Sequence, residues 1–331
     1  MPTILVTGGA GYIGSHVVKE LLHRNDKPIV FDNLQTGHRN AARGALLITG
    51  DLSDQKKLKE TFQSQTIDTV MHFAADCLVG ESVQNPVKYF NNNVRNSLKL
   101  IEMMEAFEVK KIVFSSSAAV YGEPETIPIT EDHPCLPANP YGETKWIFEK
   151  VLQAFHDEGK LNFISLRYFN AAGADPEGER GEDHSPETHL IPLVIKAALG
   201  GTSVPVFGTD YPTSDGTCIR DYIHVTDLAH AHILALKKLD QEKVSGIYNL
   251  GNGSGFSVRE VIETVKKVTG REVAAIDSVR RPGDPARLVA SSRKIREELG
   301  WIPDFPDLET IVETAWKWHR NHPKGYDDKE S

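Results

Sequence analysis

A doubly wound α/β fold, a parallel sheet followed by a smaller mixed α/β carboxyl-terminal region, is predicted by three observations. Short apolar runs alternate with amphipathic helical patterns through the first half of the chain. A glycine-rich turn, TGGAGYIG, joins the first run to the first helix. After Gly173 the alternation gives way to a polar stretch rich in Gly and Pro. Strand-helix alternation implies right-handed βαβ crossovers, which wind helices onto both faces of one sheet.

The elements follow in order. Residues 3–7 (TILVT), 28–32 (PIVFD), 45–50 (ALLITG), 69–74 (TVMHFA), 111–116 (KIVFSS) and 162–168 (NFISLRY) are near-continuous apolar runs, as expected for strands covered on both faces. Helical patterns fill the intervals at 12–24, 54–64, 86–108 and 141–158. The stretch 173–189, GADPEGERGEDHSPETH, has little periodicity and predicts a long loop into a second region. Helices are expected there at 189–200, 226–239, 257–269 and 308–320, with short strands near 204–207 and 247–250. WKWH near 316–319 belongs to a packed terminal helix, and YDDKES is expected to fray. The division predicted is 1–173, with segments returning near 220–250, and 174–331.

At 331 residues the chain can form one large or two coupled domains. A net charge of -9, with Lys and Arg never clustered beyond pairs, argues against nucleic acid. Three scattered cysteines, Cys77, Cys135 and Cys218, exclude a disulfide scaffold or thiolate zinc site and fit a reducing cytoplasm. Neither a signal peptide nor a membrane span is expected. His230 and His232, two apart, cannot share a helix face as ligands. His184 and His189 lie in a loop without thiols, and no metal is expected.

Gly8, Gly11 and Gly14 follow an apolar strand and open an amphipathic helix, the context a Rossmann dinucleotide fingerprint requires. Glycine lets the backbone approach a pyrophosphate, and the helix start at Tyr12 and Ile13 offers it free N–H groups. Asp32 ends the second strand, 18 residues after Gly14, where a carboxylate accepts ribose hydroxyls and repels a 2′-phosphate. NAD is therefore expected rather than NADP. Asn33 beside it joins the expected cofactor set. Asp51, closing the third strand, is placed for the adenine with Leu52, or else caps a turn before Ser53.

NPYGETK, residues 139–145, puts Tyr141 and Lys145 four apart, on one face of a helix. Using a phenol as base near pH 7 means lowering its pKa from about 10, a change of about 4 kcal/mol. A neighbouring ammonium and a positive nicotinamide ring are suitable perturbers. Ser117, at a strand's carboxyl end in SSSAAVYG, is placed to hold a substrate alcohol.

TGGAGYIG, SSSAAVYG, NPYGETK, LRYFNAAG, DGTCIRDYIHVTDLA and YNLGNG, in this order, cover nearly the whole chain. Together they resemble the extended short-chain dehydrogenase/reductase family, most closely its NAD-dependent nucleotide-sugar 4-epimerases. The resemblance implies a homodimer, packed through helices 86–108 and 141–158. It also implies an NAD retained through turnover and reversible epimerisation at C4 of a UDP-hexose, UDP-galactose or UDP-glucose. Ser117, Tyr141 and Lys145 match the catalytic triad. Asn92 matches the asparagine supporting the active-site lysine; Phe73, Ala74 and Ala75 match the nicotinamide-side wall, and Phe169 its other edge. For the nucleotide sugar the pattern points to Asn170, His189, Leu190, Pro205, Val206, Phe207, Arg220, Arg281 and Asp284. Two arginines can clamp a diphosphate, Phe207 can flank a uracil, and Asp284 can accept ribose hydroxyls.

Cys77 stands where many such epimerases carry a lysine, and a small packed side chain is expected there. Leu288 falls at a position that gates sugar size. Leucine is smaller than the tyrosine of restrictive members and larger than cysteine, so N-acetylated sugars are left open. Related dehydratases place Asp and Glu after the serine to eliminate water. Here Ala118 and Ala119 follow, and a methyl group transfers no proton. Other family activities, such as a UDP-uronate or UDP-N-acetylhexosamine 4-epimerase, are the alternatives.

Overall fold

A computed structural model of the chain describes residues 1–241, 244–281 and 284–327. The first half alternates as follows: β1 (Thr3–Thr7), α1 (Tyr12–His23), β2 (Lys27–Asp32), β3 (Leu46–Thr49), α2 (Gln55–Ser64), β4 (Thr69–His72), α3 (Val79–Gln84), α4 (Pro86–Tyr89), α5 (Ser97–Ala106), β5 (Lys111–Ser115), α6 (Pro140–Asp157) and β6 (Asn162–Tyr168). The second half adds β7 (Asn170–Ala172), α7 (Leu190–Ala198), β8 (Val204–Phe207), β9 (Ile219–Arg220), β10 (Tyr222–His224), α8 (Val225–Gln241), β11 (Gly246–Leu250), β12 (Phe256–Ser257), α9 (Val258–Thr269), β13 (Ala275–Ser278), β14 (Arg287–Leu288), α10 (Arg293–Leu299) and α11 (Leu308–Asn321).

Seven strands form one parallel sheet in the order β11-β6-β5-β4-β1-β2-β3. Both faces are dry, which explains the unbroken apolar runs. Ile4, Val6, Val30, Met71, Val113 and Ile164 face one core with α1 and α8. Leu5, Ile29, Phe31, Val70, Ile112 and Phe114 face the other, with α2, α5 and α6. A third core, from Ile191, Val194, Val206, Val261, Val265, Ile311 and Val312, unites α7, α9, α11 and β8.

Local chemistry fixes the helix ends. Asn139 accepts from Gly142 N (2.9 Å) at the start of α6, with Pro140 in the first turn. Ser257 and Glu260 form a capping box on α9, which ends at left-handed Gly270.

Three differences from the sequence reading matter. The helix expected over 86–108 is α-helical only at its ends; Phe90–Asn96 widens into a π-helix. That wider turn carries Asn93 inward, where it donates to Asp76 O and to Thr144 Oγ1. Strands β7, β9, β10, β12 and β14 were not expected, since two or three residues are too few for a period to register. Finally, the expected frayed end is anchored at Tyr326, which stacks on His38 and donates its backbone N–H to Asp183 (2.8 Å). Residues 328–331 lie outside the described residues.

Candidate active site

The strand order reverses between β1 and β4, and the crevice at such a switch point is the usual ligand position in open α/β sheets. Each fingerprint glycine there has its own reason. Gly8 has φ 73°, and a Cβ on it would lie 2.5 Å from Ala74 N. A Cβ on Gly14 would lie 2.3 Å from Gly8 O. A Cβ on Gly11 would meet nothing nearer than Gly8 O at 3.4 Å, an ordinary contact. The protein itself does not need glycine at Gly11, so the cradle beside it suits an approaching anion. Helix α1 begins there with no side-chain cap and no acid in its first turn, and its N–H groups and dipole favour a pyrophosphate. These residues fit NAD.

Asp32 is buried, accepting from Ala10 N (2.9 Å) and Leu34 N (2.8 Å), and burial raises its pKa above the ordinary carboxylate value. Asp51 takes the turn role considered for it, and it also bonds Asn33. It accepts from Ser53 N (2.8 Å) in a turn and from Asn33 Nδ2 (2.7 Å) at the crevice rim. The Leu52 side chain lies in the core, leaving its backbone to face a ligand. Tyr12 turns its hydroxyl to Gly173 O (2.7 Å), tying the helix start to the long loop, and Ile13 packs on the core. The backbone N–H groups of Phe73 and Ala74 both donate to Thr7 O, fixing this wall to β1, with Ala75 next along it.

The three serines ending β5 divide three tasks. Ser115 Oγ bonds the Tyr168 hydroxyl (2.6 Å), while its carbonyl accepts from Lys145 Nζ (2.8 Å). Ser116 Oγ donates to Glu149 Oε1 (2.6 Å), which in turn forms a buried pair with Arg167. Ser117 Oγ accepts from Ala119 N (3.2 Å), and the Ser117 side chain acts to lower the Tyr141 pKa. Tyr141 and Lys145 both point inward from α6, and the Lys145 ammonium lies 5.8 Å from the Tyr141 ring centroid. Burial lowers the Lys145 pKa to about 8, opposed by Cys77 and Glu149.

The Tyr141 phenol departs from the expected lowering. Burial, then Tyr168 and Cys77, raise it well above its ordinary value, and only Ser117 pulls it down. Its pocket alone disfavours the phenolate, so lowering it falls to cationic neighbours. Asn92 donates to Asp76 Oδ2 (3.0 Å). The neighbour Asn93, through Thr144, is the residue that braces the lysine-bearing helix. Cys77, expected to be packed, is exposed; it lies where Lys145 and His189 both act on it electrostatically.

At the far end the residues carried over by resemblance lie on short strands. Phe169 is buried against Ala118, Val120 and Ala290, with Leu288 beside them. Asn170 Nδ2 donates to Asp221 O (3.0 Å). Arg220 and Leu288 are register partners across β9 and β14. Arg220 is ion-paired with Asp284, and Arg281 lies over the Phe207 ring, 4.0 Å from its centroid. The intended clamp charges and their partners thus already satisfy one another. On β8, Pro205 is exposed while Val206 is core, so only its backbone faces outward. His189 precedes α7, whose first residue is half-buried Leu190. Burial opposes its charge, but Glu182 and Glu187 hold its pKa well above the ordinary value.

A glycine cradle at a helix start, a buried carboxylate ending β2 and a Ser-Tyr-Lys group thus lie at the switch point of the sheet. Residues 4–251 match the NAD dependent epimerase/dehydratase family. The chain belongs to that family. The UDP-glucose 4-epimerase of Halalkalibacterium halodurans is 56% identical over 324 residues, covering 98% of this chain and 97% of its own. Crystal structures are similar throughout. A UDP-glucose 4-epimerase from Brucella ovis in complex with NAD gives a TM-score of 0.93 at 46% identity, covering 96% of this chain and 98% of that one. One from Bifidobacterium longum in complex with NAD+ and UDP gives 0.93 at 38% identity, covering 98% and 100%.

For a member of the epimerase/dehydratase family, several residues around the site escaped sequence reasoning. Tyr168 bonds Ser115, whose carbonyl holds Lys145; Glu149 and Arg167 pair behind Ser116; and Asn93 bonds Thr144, next to Lys145. Glu149 had one signal, its i+4 spacing from Lys145 on α6. The others meet across separate elements and left none. Among the described residues, no helix is long and apolar enough to cross a membrane.

Proposed function

We propose that the chain interconverts UDP-galactose and UDP-glucose by oxidation and re-reduction at C4. The single observation that carries this is the junction Ser117-Ala118-Ala119. Ser117 acts to lower the Tyr141 pKa, and the next two side chains are methyl groups, Ala118 being buried against Phe169. In a family that includes dehydratases, this site has an alcohol-handling group and no acid or base beside it for eliminating water.

NAD, when bound, supplies a hydride acceptor and donor at one carbon. Tyr141 takes the C4 hydroxyl proton as hydride leaves C4, and Ser117 bridges that hydroxyl to the phenol. Lys145, held by Ser115 O, supplies positive charge toward Tyr141 and a donor for the nicotinamide ribose. The 4-keto sugar, tethered by its UDP, turns over before hydride returns to the opposite face. Net redox is zero, so the cofactor need not leave.

We assign NAD to Gly8, Gly11, Tyr12, Ile13, Gly14, Asp32, Asn33, Asp51, Leu52, Phe73, Ala74, Ala75, Asn92, Ser117, Tyr141, Lys145 and Phe169. The UDP-sugar is assigned to Ser117, Tyr141, Asn170, His189, Leu190, Pro205, Val206, Phe207, Arg220, Arg281 and Asp284. The domain division assigned is 1–173 with 220–250, and 174–331; α8 and β11 packing into the main sheet supports the returning segment. Exposed Val83 in α3, Val87 in α4 and Phe90 at the start of the π-helix support a homodimer packed through the helical regions 86–108 and 141–158. Three free thiols support a reducing cytoplasm.

The test is to give purified protein UDP-galactose without added NAD and assay UDP-glucose. Conversion to an equilibrium mixture is expected. Release of reduced cofactor in step with a lasting keto sugar would overturn the reading.

A further inference from the structure

His184 and His189 carry no thiols nearby, and their pattern alone gives no reason to expect a metal. Folding changes the donor set. Glu182 and Glu187 join the two histidines, with one ligand atom from each residue lying within 4.8 Å of the others. Glu182 Oε1 is 3.1 Å from His184 Nδ1 and 2.7 Å from His189 Nδ1. His189 Nδ1 is also 3.1 Å from Glu187 Oε1, and Glu187 Oε2 is 4.0 Å from His184 Nδ1. The two carboxylate side chains are only 4% and 3% exposed.

Hydrogen bonding explains this arrangement in part. Two imidazole nitrogens converge on a single oxygen, and Glu187 Oε2 is buried without any hydrogen-bond partner. Among the described residues, the ion-pair partners of these carboxylates are the two histidines, with no Lys or Arg in reach. Two buried carboxylates facing two imidazoles leave negative charge under-compensated, which a protein interior does not favour.

We propose that Glu182, His184, Glu187 and His189 bind a divalent first-row transition cation, with zinc the best match. Imidazole and carboxylate donors without thiolate suit zinc, and four protein ligands describe a closed structural site. Bonds of about 2.1 Å place tetrahedral donors roughly 3.4 Å apart; the four ion-pair separations run from 2.7 to 4.0 Å, and one ligand atom from each residue lies within 4.8 Å of the others. The ion uses the orphaned oxygen and neutralises both carboxylates. It clips the long polar loop to the residue preceding α7, while Trp318 Nε1 holds Glu182 O from α11 (3.2 Å). Coordination through Nδ1 leaves the other ring nitrogen of His189 outside the cluster.

The test uses the full chain without nucleotide sugar, so it stands apart from the proposed activity. After chelation, Zn2+ alone is titrated calorimetrically, and Co2+ is added as a spectroscopic substitute. One zinc per chain, a rise in Tm on adding zinc, and the visible absorption of tetrahedral cobalt are expected. Glu187→Gln and His184→Asn should each weaken zinc binding by more than about tenfold. Equal affinity in wild type and Glu187→Gln, or no stoichiometric zinc, overturns the proposal. Should both variants fold poorly, the wild-type cobalt spectrum decides: an octahedral spectrum rules out these four ligands.

Discussion

Around the glycine-rich crevice, Gly8 and Gly14 sit where a Cβ would meet backbone at 2.5 and 2.3 Å, and Glu149 and Arg167 pair out of water behind Ser116. At the nucleotide end, Arg220 pairs with Asp284 at a rim where the Asp284 side chain is 25% exposed, and Arg281 rests on Phe207. The first region is built of close-packed backbone and of buried charges held by several hydrogen bonds each. The second recognises with long side chains on strands of two to four residues. On the function proposed above, the difference is what a retained cofactor and an exchanged sugar nucleotide call for: fixed dipoles suit a permanent guest, and exchangeable ion pairs suit a visitor.

The largest test lies at the centre of the rigid region. Tyr141→Phe keeps the ring and removes the proton acceptor. It should lower kcat by about 10^2 to 10^4 while bound NAD, read by absorbance after denaturation, is unchanged. Next comes the buried pair. Arg167→Met leaves Glu149 buried and unpaired, which should cost about 3–5 kcal/mol of stability, read as a lowered Tm. If Arg220→Met lowers Tm as much, the contrast between the two regions is broken.

Acid should act through the rigid region. Burial lowers His16 and His232 to about 4 and His72 to about 3, so the folded chain keeps them neutral. The unfolded chain protonates them below about 6.5. Folded pKa values below the unfolded value mean that stability holds above pH 6.5 and falls as pH drops toward 4. Each histidine contributes at most about 1.4 kcal/mol per pH unit. A Tm flat from pH 7 to 4.5 would contradict this.

Smaller effects sharpen the nucleotide side. Arg220→Met should raise KM by about 10- to 100-fold, from about 1.5–3 kcal/mol in a charged hydrogen bond, leaving NAD content intact. The smallest effect belongs to Gly11→Ala. Its Cβ meets only an ordinary contact at 3.4 Å, so Tm should barely move while retained NAD falls. Loss of folding instead would show that the cradle serves the protein and not the anion.

Much of the rigid region was legible in sequence. Parallel strands buried on both faces, such as Thr3–Thr7 and Thr69–His72, announce themselves as unbroken apolar runs. The fingerprint and the four-residue step from Tyr141 to Lys145 are local spacings that a helix converts directly into geometry. The nucleotide end was legible only by likeness, because two-residue strands leave no period. The metal-compatible cluster was not legible. Glu182 and Glu187 lie in a stretch with little periodicity, and only the fold brings them to His184 and His189, with Trp318 on α11 holding Glu182 O.

By itself, then, the sequence determined which of the longer segments become strands and helices, that a glycine turn opens α1, and that two methyl side chains, Ala118 and Ala119, follow Ser117. Tertiary structure alone decided that β11 returns to the sheet edge beside β6, that a π-turn aims Asn93 at Thr144, and that Glu149 finds Arg167. Periodicity and capping act within a turn or two of chain. Partners separated by tens of residues meet only after the core has formed and excluded water, and no local spacing encodes that meeting.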